Sequence, residues 1–455
     1  MKKVLALMLA VLMLGSIAVG CKKDDPVPDT DSSTPSSEDT AQGDSELSGT
    51  IKFIHHRTDR QEDGTMDKLA AEFNKIHPDV KIEFQAITDY ATEIQTMMTS
   101  DNYGDVIMTP QSVKQEELAD FFVPLGDKSD MSEKYYWVDG YELDGKIYAL
   151  GHGGTASGIL YNKDVWKNAG ITDLPESPAE FIDCLKKIAD KGEAIPYYTN
   201  YKDSWTISQW QSLVVSASGD ANYENRLLTE EEDLFYEGSA YDAVYGMLYD
   251  IYSDDSLHES DPSTTDWEGS KTAFAEGNIG AMVLGSWAIS QFQEAAENIG
   301  VDPAVVGYMP FPNKVDGEIY SVSANDYAMS VNKNSKNIEA AKAFLFWFCE
   351  ESGFAEKEGL ISVVKGNPMP EVLSSFDELK VKLIVAEPAP EELTGKFDKI
   401  AKDSEVDPWG DAANNFKFKL AEAAFGKKGR DEYNKITADV NKEWNKARDS
   451  VLGND

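Results

Sequence analysis

Apolar and polar positions alternate along this chain with two periods, and the period switches repeatedly after Thr50. Ile51-Lys52-Phe53-Ile54 reads as a short strand. From Thr65 to Ile76, the residues Met66, Leu69, Ala70, Phe73 and Ile76 recur at the spacing of one helix face. Ile82, Phe84 and Ala86 alternate with polar residues and predict a strand over 81–86. Residues 90–100 read as helix, and 105–108 as a buried strand. Strand, helix, strand, helix, strand is the order that builds a parallel sheet with helices on both faces. A second body is predicted to begin near Ile159. There Ser177-Pro178-Ala179-Glu180 predicts a helix start, with Ser as N-cap, Pro at N1 and Glu closing a capping box. Phe181, Leu185 and Ile188 form that helix's apolar face. Helical spacing also dominates 240–252, 338–350 and the C-terminus, where Tyr433, Ile436, Val440 and Trp444 make one stripe.

The first fifty residues follow none of these patterns. Met1-Lys2-Lys3 is a positive head, and the uncharged apolar run from Val4 to Val19 is shorter than the roughly 20 residues a membrane-spanning helix needs. It ends at Ala18-Val19-Gly20-Cys21. A small residue followed by Cys resembles the bacterial lipobox, with Ala18 where that motif usually carries a larger aliphatic, and the resemblance implies a lipid on Cys21. Residues 22–48 are rich in acids, Ser, Thr and Pro. They hold too little apolar surface to offset ordering entropy, so an acidic, disordered tether spanning on the order of 30 Å is expected over 21–49.

Composition narrows the function classes. With 42 basic and 81 acidic residues, the net charge of −39 argues against nucleic acid and against adsorption to anionic lipid. A 455-residue chain is too long for one core and long enough for two large lobes. Cys184 and Cys349 lie in helical patterns and read as small core residues.

Six segments, in order, resemble the extracellular solute-binding proteins of family 1, the maltose-binding-protein-like group. They are L-A-A-E-F-N-K-I-H-P-D-V-K-I-E-F (69–84), G-D-V-I-M (104–108), D-G-K-I-Y-A-L with I-L-Y-N-K-D-V-W (144–150 and 159–166), F-A-E-G-N-I-G-A-M-V-L-G-S-W (274–287), G-Y-M-P-F-P (307–312) and A-M-S-V-N-K-N-S-K-N-I-E-A-A-K-A-F (328–344). The resemblance implies an α/β, two-lobe periplasmic-binding-protein-like fold, type II-like, with hinged lobes and a ligand between them. It places the crossings near 155–158, 284–286 and 327–330. The first lobe is expected over 50–156 with 286–328, and the second over 157–285 with 329–455. The implied partners are a carbohydrate and the membrane permease of an ABC importer. The implied protein is a lipid-anchored monomer on the outer face of the cytoplasmic membrane.

Sugars present C–H faces and hydroxyl edges. Their sites combine aromatic rings with fixed polar groups. The chain has 9 Trp and 20 Tyr, many beside Gly, Asp and Asn. Trp287 ends the G-S-W turn at an expected crossing, a position that commonly lines the cleft in the family. Trp205 in D-S-W-T-I-S-Q-W is favoured for the site and Trp210 for the core. Trp409, in V-D-P-W-G-D, sits on a turn signal that can reach the cleft. Trp137, Trp166, Trp267, Trp347 and Trp444 read as structural. The first strand leads into H-H-R-T-D-R, and ligands of open α/β sheets bind beyond strand carboxyl ends, which nominates His55, Arg57 and Asp59. His152, Asp326 and Asp105 complete the candidates, Asp105 having a structural cap as its alternative.

No metal or cofactor is expected. The 5 His do not cluster, and adjacent His55 and His56 cannot share a strand face. No EF-hand, H-E-x-x-H, P-loop or G-x-S-x-G is present. A glycosidase needs two positioned carboxylates, and abundance of acids alone does not supply them. The rivals are the same fold holding a polyamine, an iron chelate or a peptide, and a surface sensor lipoprotein uncoupled from transport.

Overall fold

The computed structural model describes residues 47–453 apart from 89, 111, 204, 231–232 and 409–414. One sheet runs in the order Val80–Ala86, Gly49–His55, Val106–Met108, Ala328–Val331, Leu150–Gly151. The first three strands are parallel, with Ile51 opposite Ile82 and Phe53 opposite Val106. Ala328–Val331 then runs antiparallel to both of its neighbours. Helix Thr65–Ile76 buries Met66, Leu69 and Phe73 as their spacing predicts, and His77-Pro78 ends it, since a residue before proline is driven out of the helical region. Phe53, Phe73, Phe84, Phe344 and Phe348 pack edge to face into the core of this lobe.

A second sheet has the order Ile195–Tyr197, Ile279–Val283, Ile159–Asn162, Val306–Met309. Helix Pro178–Lys191 starts where Ser177 caps it, Oγ accepting from Glu180 N at 3.3 Å. The Glu180 carboxylate accepts from Glu176 N rather than from the cap residue, so the expected box closes one residue early. Helix Ala240–Ser253 is buried nearly all round, with Tyr241, Tyr245, Tyr249 and Tyr252 stacked into the core. Tyr433, Val440 and Trp444 of Arg430–Leu452 join them. Cys184 and Cys349 are free and lie in different cores.

The crossings differ in part from expectation. Gly154–Ala156 pairs antiparallel with Glu318–Asn325, which pairs in turn with Lys382–Ile384. Ser286 N donates to Ala156 O and Ser286 Oγ accepts from Ala156 N, both at 2.9 Å. The chain passes from the first sheet to the second through 152–158, between Leu150–Gly151 and Ile159–Asn162. Residues 284–286, expected as a crossing, lie against that segment but do not cross, because Ile279–Val283 before them and helix Ala288–Asn298 after them both pack in the second lobe. The return crossing is Glu318–Asn325, between Val306–Met309 of the second sheet and Ala328–Val331, which already belongs to the first. The lobe assignment shifts accordingly. Helix Ala288–Asn298 packs with Phe274 and Val306 of the second lobe, whereas helix Ile338–Glu350 packs on the first. No helix among the described residues is long and apolar enough to cross a membrane.

Candidate ligand site at the lobe crossings

Three helix starts of the second lobe carry tryptophan. Trp205 opens Trp205–Ser208, Trp267 opens Trp267–Ala275, and Trp287 is the N-cap of Ala288–Asn298. All three are half-buried. Their rings form one cluster: centroids lie 5.0 Å apart for Trp205 and Trp267, 5.8 Å for Trp205 and Trp287, and 6.0 Å for Trp267 and Trp287. Lys271 Nζ sits 4.9 Å over the Trp267 ring and Phe292 packs against its edge, so Trp267 buttresses the other two. The loops bearing Trp205 and Trp267 are stapled together. Thr199 N donates to the buried Glu259 carboxylate at 2.9 Å, Lys202 N to Thr265 Oγ1 at 3.0 Å, Asp266 N to Tyr198 Oη at 2.9 Å, and Trp267 N to Asp203 Oδ2 at 3.2 Å. A Cβ on Gly285 would fall 2.5 Å from the Trp287 indole, so only glycine lets the turn fold under the ring. Such a platform is set before any ligand arrives.

Where the crossings enter the first lobe, the chemistry is polar. His56 stacks on Tyr327, centroids 4.3 Å apart, with Tyr90 at its edge. Asp326 donates its backbone N–H to Gly153 O at 3.0 Å and keeps its carboxylate 28% exposed, 3.7 Å from His152 Nε2. Burial raises the Asp326 pKa against the pull of His56 and Arg57. Burial lowers His56 to about 4, helped by His152, and lowers His152 to about 4, helped by Arg57, so both rings are neutral near pH 7. Arg57 Nη2 donates to Asp59 and to Glu358, each at 2.7 Å.

The structure sorts the sequence candidates. It brings Trp205 and Trp287 together, and it places Asp326, Arg57 and Asp59 at the first-lobe end of the same crossings. Trp210 is buried in the second-lobe core, as are Trp166 and Trp444, while Trp347 is buried in the first. Trp409 and Cys21 lie outside the described residues. Three candidates are corrected. His55 is 0% exposed, because it shares a strand face with Phe53 and its ring packs 5.1 Å from Phe53 and 5.9 Å from Phe84. Asp105 sits at the opposite end of its strand from the crossings, where it accepts from Lys52 N at 2.8 Å and Ser335 Oγ at 2.5 Å and ties the fold. His152 is 1% exposed and wedged edge-on against Phe354, with its Nε2 3.7 Å from the Asp326 carboxylate.

Sequence reasoning passed over His56 and Tyr327 as site residues, and it read Trp267 as structural, in keeping with its place as a buttress. His56 was recoverable: two adjacent histidines at a strand end must point to opposite faces, and one face is core. Trp137 was read as structural, and it sits at the hinge itself. It adopts φ 56°, rare for a bulky residue and costing on the order of 1–3 kcal/mol, and its Nε1 donates to Ser323 O at 3.1 Å. A Cβ on Gly154 would lie 2.1 Å from its ring. Trp137 and Tyr141 face Val385, Ala386 and Pro388 across a groove of about 470 Å³ along the crossing strand. Among the described residues no group of three or more His, Cys, Asp and Glu could hold a metal ion.

A family model described as bacterial extracellular solute-binding protein matches residues 58–352. Among solved structures, the chain is similar to BlMnBP1, an ABC-transporter binding protein of Bifidobacterium animalis subsp. lactis in complex with mannobiose. Identity is 33%, the TM-score is 0.78, and the match covers 89% of this chain and 95% of that one. The manno-oligosaccharide specific solute binding protein BlMnBP2 of the same organism, in complex with mannotriose, matches with the same identity, coverage and TM-score. These neighbours share the two-lobe fold. The multiple sugar-binding protein of Streptococcus mutans is 25% identical over 303 residues, 65% of this chain and 70% of its own length.

Proposed function

Because this chain belongs to the bacterial extracellular solute-binding protein family, whose members work outside the cytoplasm, we propose that it captures an oligosaccharide between its lobes and delivers it to an ABC permease. Manno-oligosaccharides are the class best supported, through the relatives at 33% identity that hold mannobiose and mannotriose. The protein acts as a monomer and performs no catalysis. The carrying observation is the Trp205–Trp287 pair held at the crossing strands. Indole faces match the C–H faces of pyranose rings. The Asp326 carboxylate and the neutral His56 ring offer acceptors and donors to hydroxyl edges. A ligand touching both lobes favours their approach, because only contacts made better in the closed arrangement shift that equilibrium.

Calorimetry of residues 47–455 against mannobiose, mannotriose, raffinose, a chito-oligosaccharide and spermidine tests the reading. Binding is expected to the mannosides, and Trp287→Ala is expected to weaken it by about 1–3 kcal/mol. Unchanged affinity in that variant removes Trp287 from the site. Binding of spermidine with no saccharide bound favours the polyamine alternative instead.

The lipobox-like Ala18-Val19-Gly20-Cys21 supports a diacylglyceryl anchor on Cys21, with residues 22–46 as tether; the expected end at 49 comes too late, because Leu47 packs against the first-lobe core and Gly49 opens the first strand. Replacement of Cys21 by Ala is expected to release the protein into the medium. Continued membrane association of that variant refutes the anchor.

A further inference from the structure

The helix that starts at Trp287 also reaches the other lobe. Glu294 lies seven residues beyond Trp287, two helical turns on, so the ring and the carboxylate share one side of Ala288–Asn298. That side is the ligand side under the saccharide reading, on which this inference rests. Glu294 Oε2 is 3.7 Å from Arg60 Nη2, and Arg60 belongs to helix Thr58–Glu62 of the first lobe. Among the ion pairs of the described residues it is the pair that joins the two lobes.

Arg60 is positioned in advance. Its Nε donates to Glu358 Oε1 at 2.8 Å, its Nη2 to Glu358 Oε2 at 3.3 Å, and its Nη1 to Asp63 at 3.0 Å. The Glu358 side chain is 7% exposed and also holds Arg57. The guanidinium therefore loses little further freedom when it meets a second carboxylate. Glu294 is the exposed partner, its side chain 56% accessible on the helix surface. A contact across the ligand side shortens as lobes close and breaks as they open.

We propose that Arg60 and Glu294 form a latch across the cleft, positioning residues that add to ligand affinity without touching the ligand. An uncharged saccharide gives binding contacts with little dependence on ionic strength, whereas an exposed ion pair is screened by salt. The acidic lobes also repel each other, and salt relieves that repulsion. The readout is therefore the ratio of variant to wild-type affinity at each salt concentration, which cancels the shared background.

Calorimetry with mannotriose on residues 47–455 supplies this ratio. Glu294→Gln, which keeps a good helix former on an exposed position, is expected to raise Kd about two- to fivefold at about 0.01 M salt. The ratio is expected to fall toward one at about 1 M salt, and Glu294→Lys is expected to raise Kd further. A Kd equal to or tighter than wild type at low salt overturns the latch, and so does a ratio that ignores salt. If no saccharide binds the wild type, the ligand reading has failed, and the latch is decided without ligand. Spin labels on helices Thr65–Ile76 and Arg430–Leu452 then report lobe separation. Longer distances in Glu294→Gln at low salt support the latch, and identical distributions overturn it.

Discussion

Three histidine rings lie at or beside the end of the first strand and the first crossing, and burial discourages each from taking a proton. His55, His56 and His152 are all lowered to about 4, desolvation being the largest cause in each case. Their unfolded value is about 6.5, so acid protonates the unfolded chain first. The stability they contribute is fully present above about pH 6.5 and is lost as pH falls toward 4. Each ring is worth on the order of 1–3 kcal/mol across that window. Asp326 works the other way, since its raised pKa makes protonation favour the fold, and it flattens the slope without reversing three rings. The melting temperature is expected to be constant above about pH 6.5 and to drop between about 6.5 and 4, with a shallower drop in His152→Phe. A level melting temperature across that window contradicts the burial of these rings. The same residues show what side-chain chemistry could and could not be read from the chain. A histidine after an apolar strand is equally legible as a ligand or as core, and only the face shared with Phe53 decides that His55 is core. Asp105 failed for a related reason: a carboxylate beside a strand signals an end, and the chain alone does not say which end faces the crossings.

At the scale of elements, the helices and core strands were legible because apolar spacing is set by burial. Thr65–Ile76, Pro178–Lys191 and Arg430–Leu452 present the faces their spacing predicts, except that Ile76, in the last turn of the first, is 54% exposed. The crossing strand Glu318–Asn325 was not legible as such. Its buried positions include Ser321 and Ser323, whose small polar side chains give no alternation of apolar residues. Ala328–Val331, buried at every position, carried the stronger signal and drew the expected crossing a few residues too late. The lobe exchange was misplaced with it. The tryptophan cluster escaped in part for another physical reason. Trp205, Trp267 and Trp287 come from three separate helix starts, and nothing local in any of them encodes the stapled loops that bring the rings within 6.0 Å.

At the scale of the molecule, one hydrophobic core fills the first lobe and two flank the sheet of the second, with strands that cross between the lobes. The crossings are narrow, and small residues line them: Gly154 lies against Trp137, and Gly285 under Trp287. Few covalent connections and, among the described residues, one ion pair between lobes leave relative motion as the soft coordinate, and a ligand gripped from both sides is the means to bias it. The net charge of −39 over the whole chain opposes adsorption to an anionic membrane. Small-angle scattering of residues 47–455 with and without saturating mannotriose tests capture by closure most directly. The radius of gyration is expected to fall on addition of the saccharide, and to fall less in Trp287→Ala at a concentration that just saturates the wild type. An identical radius in wild-type protein, free and saturated, contradicts a closing trap.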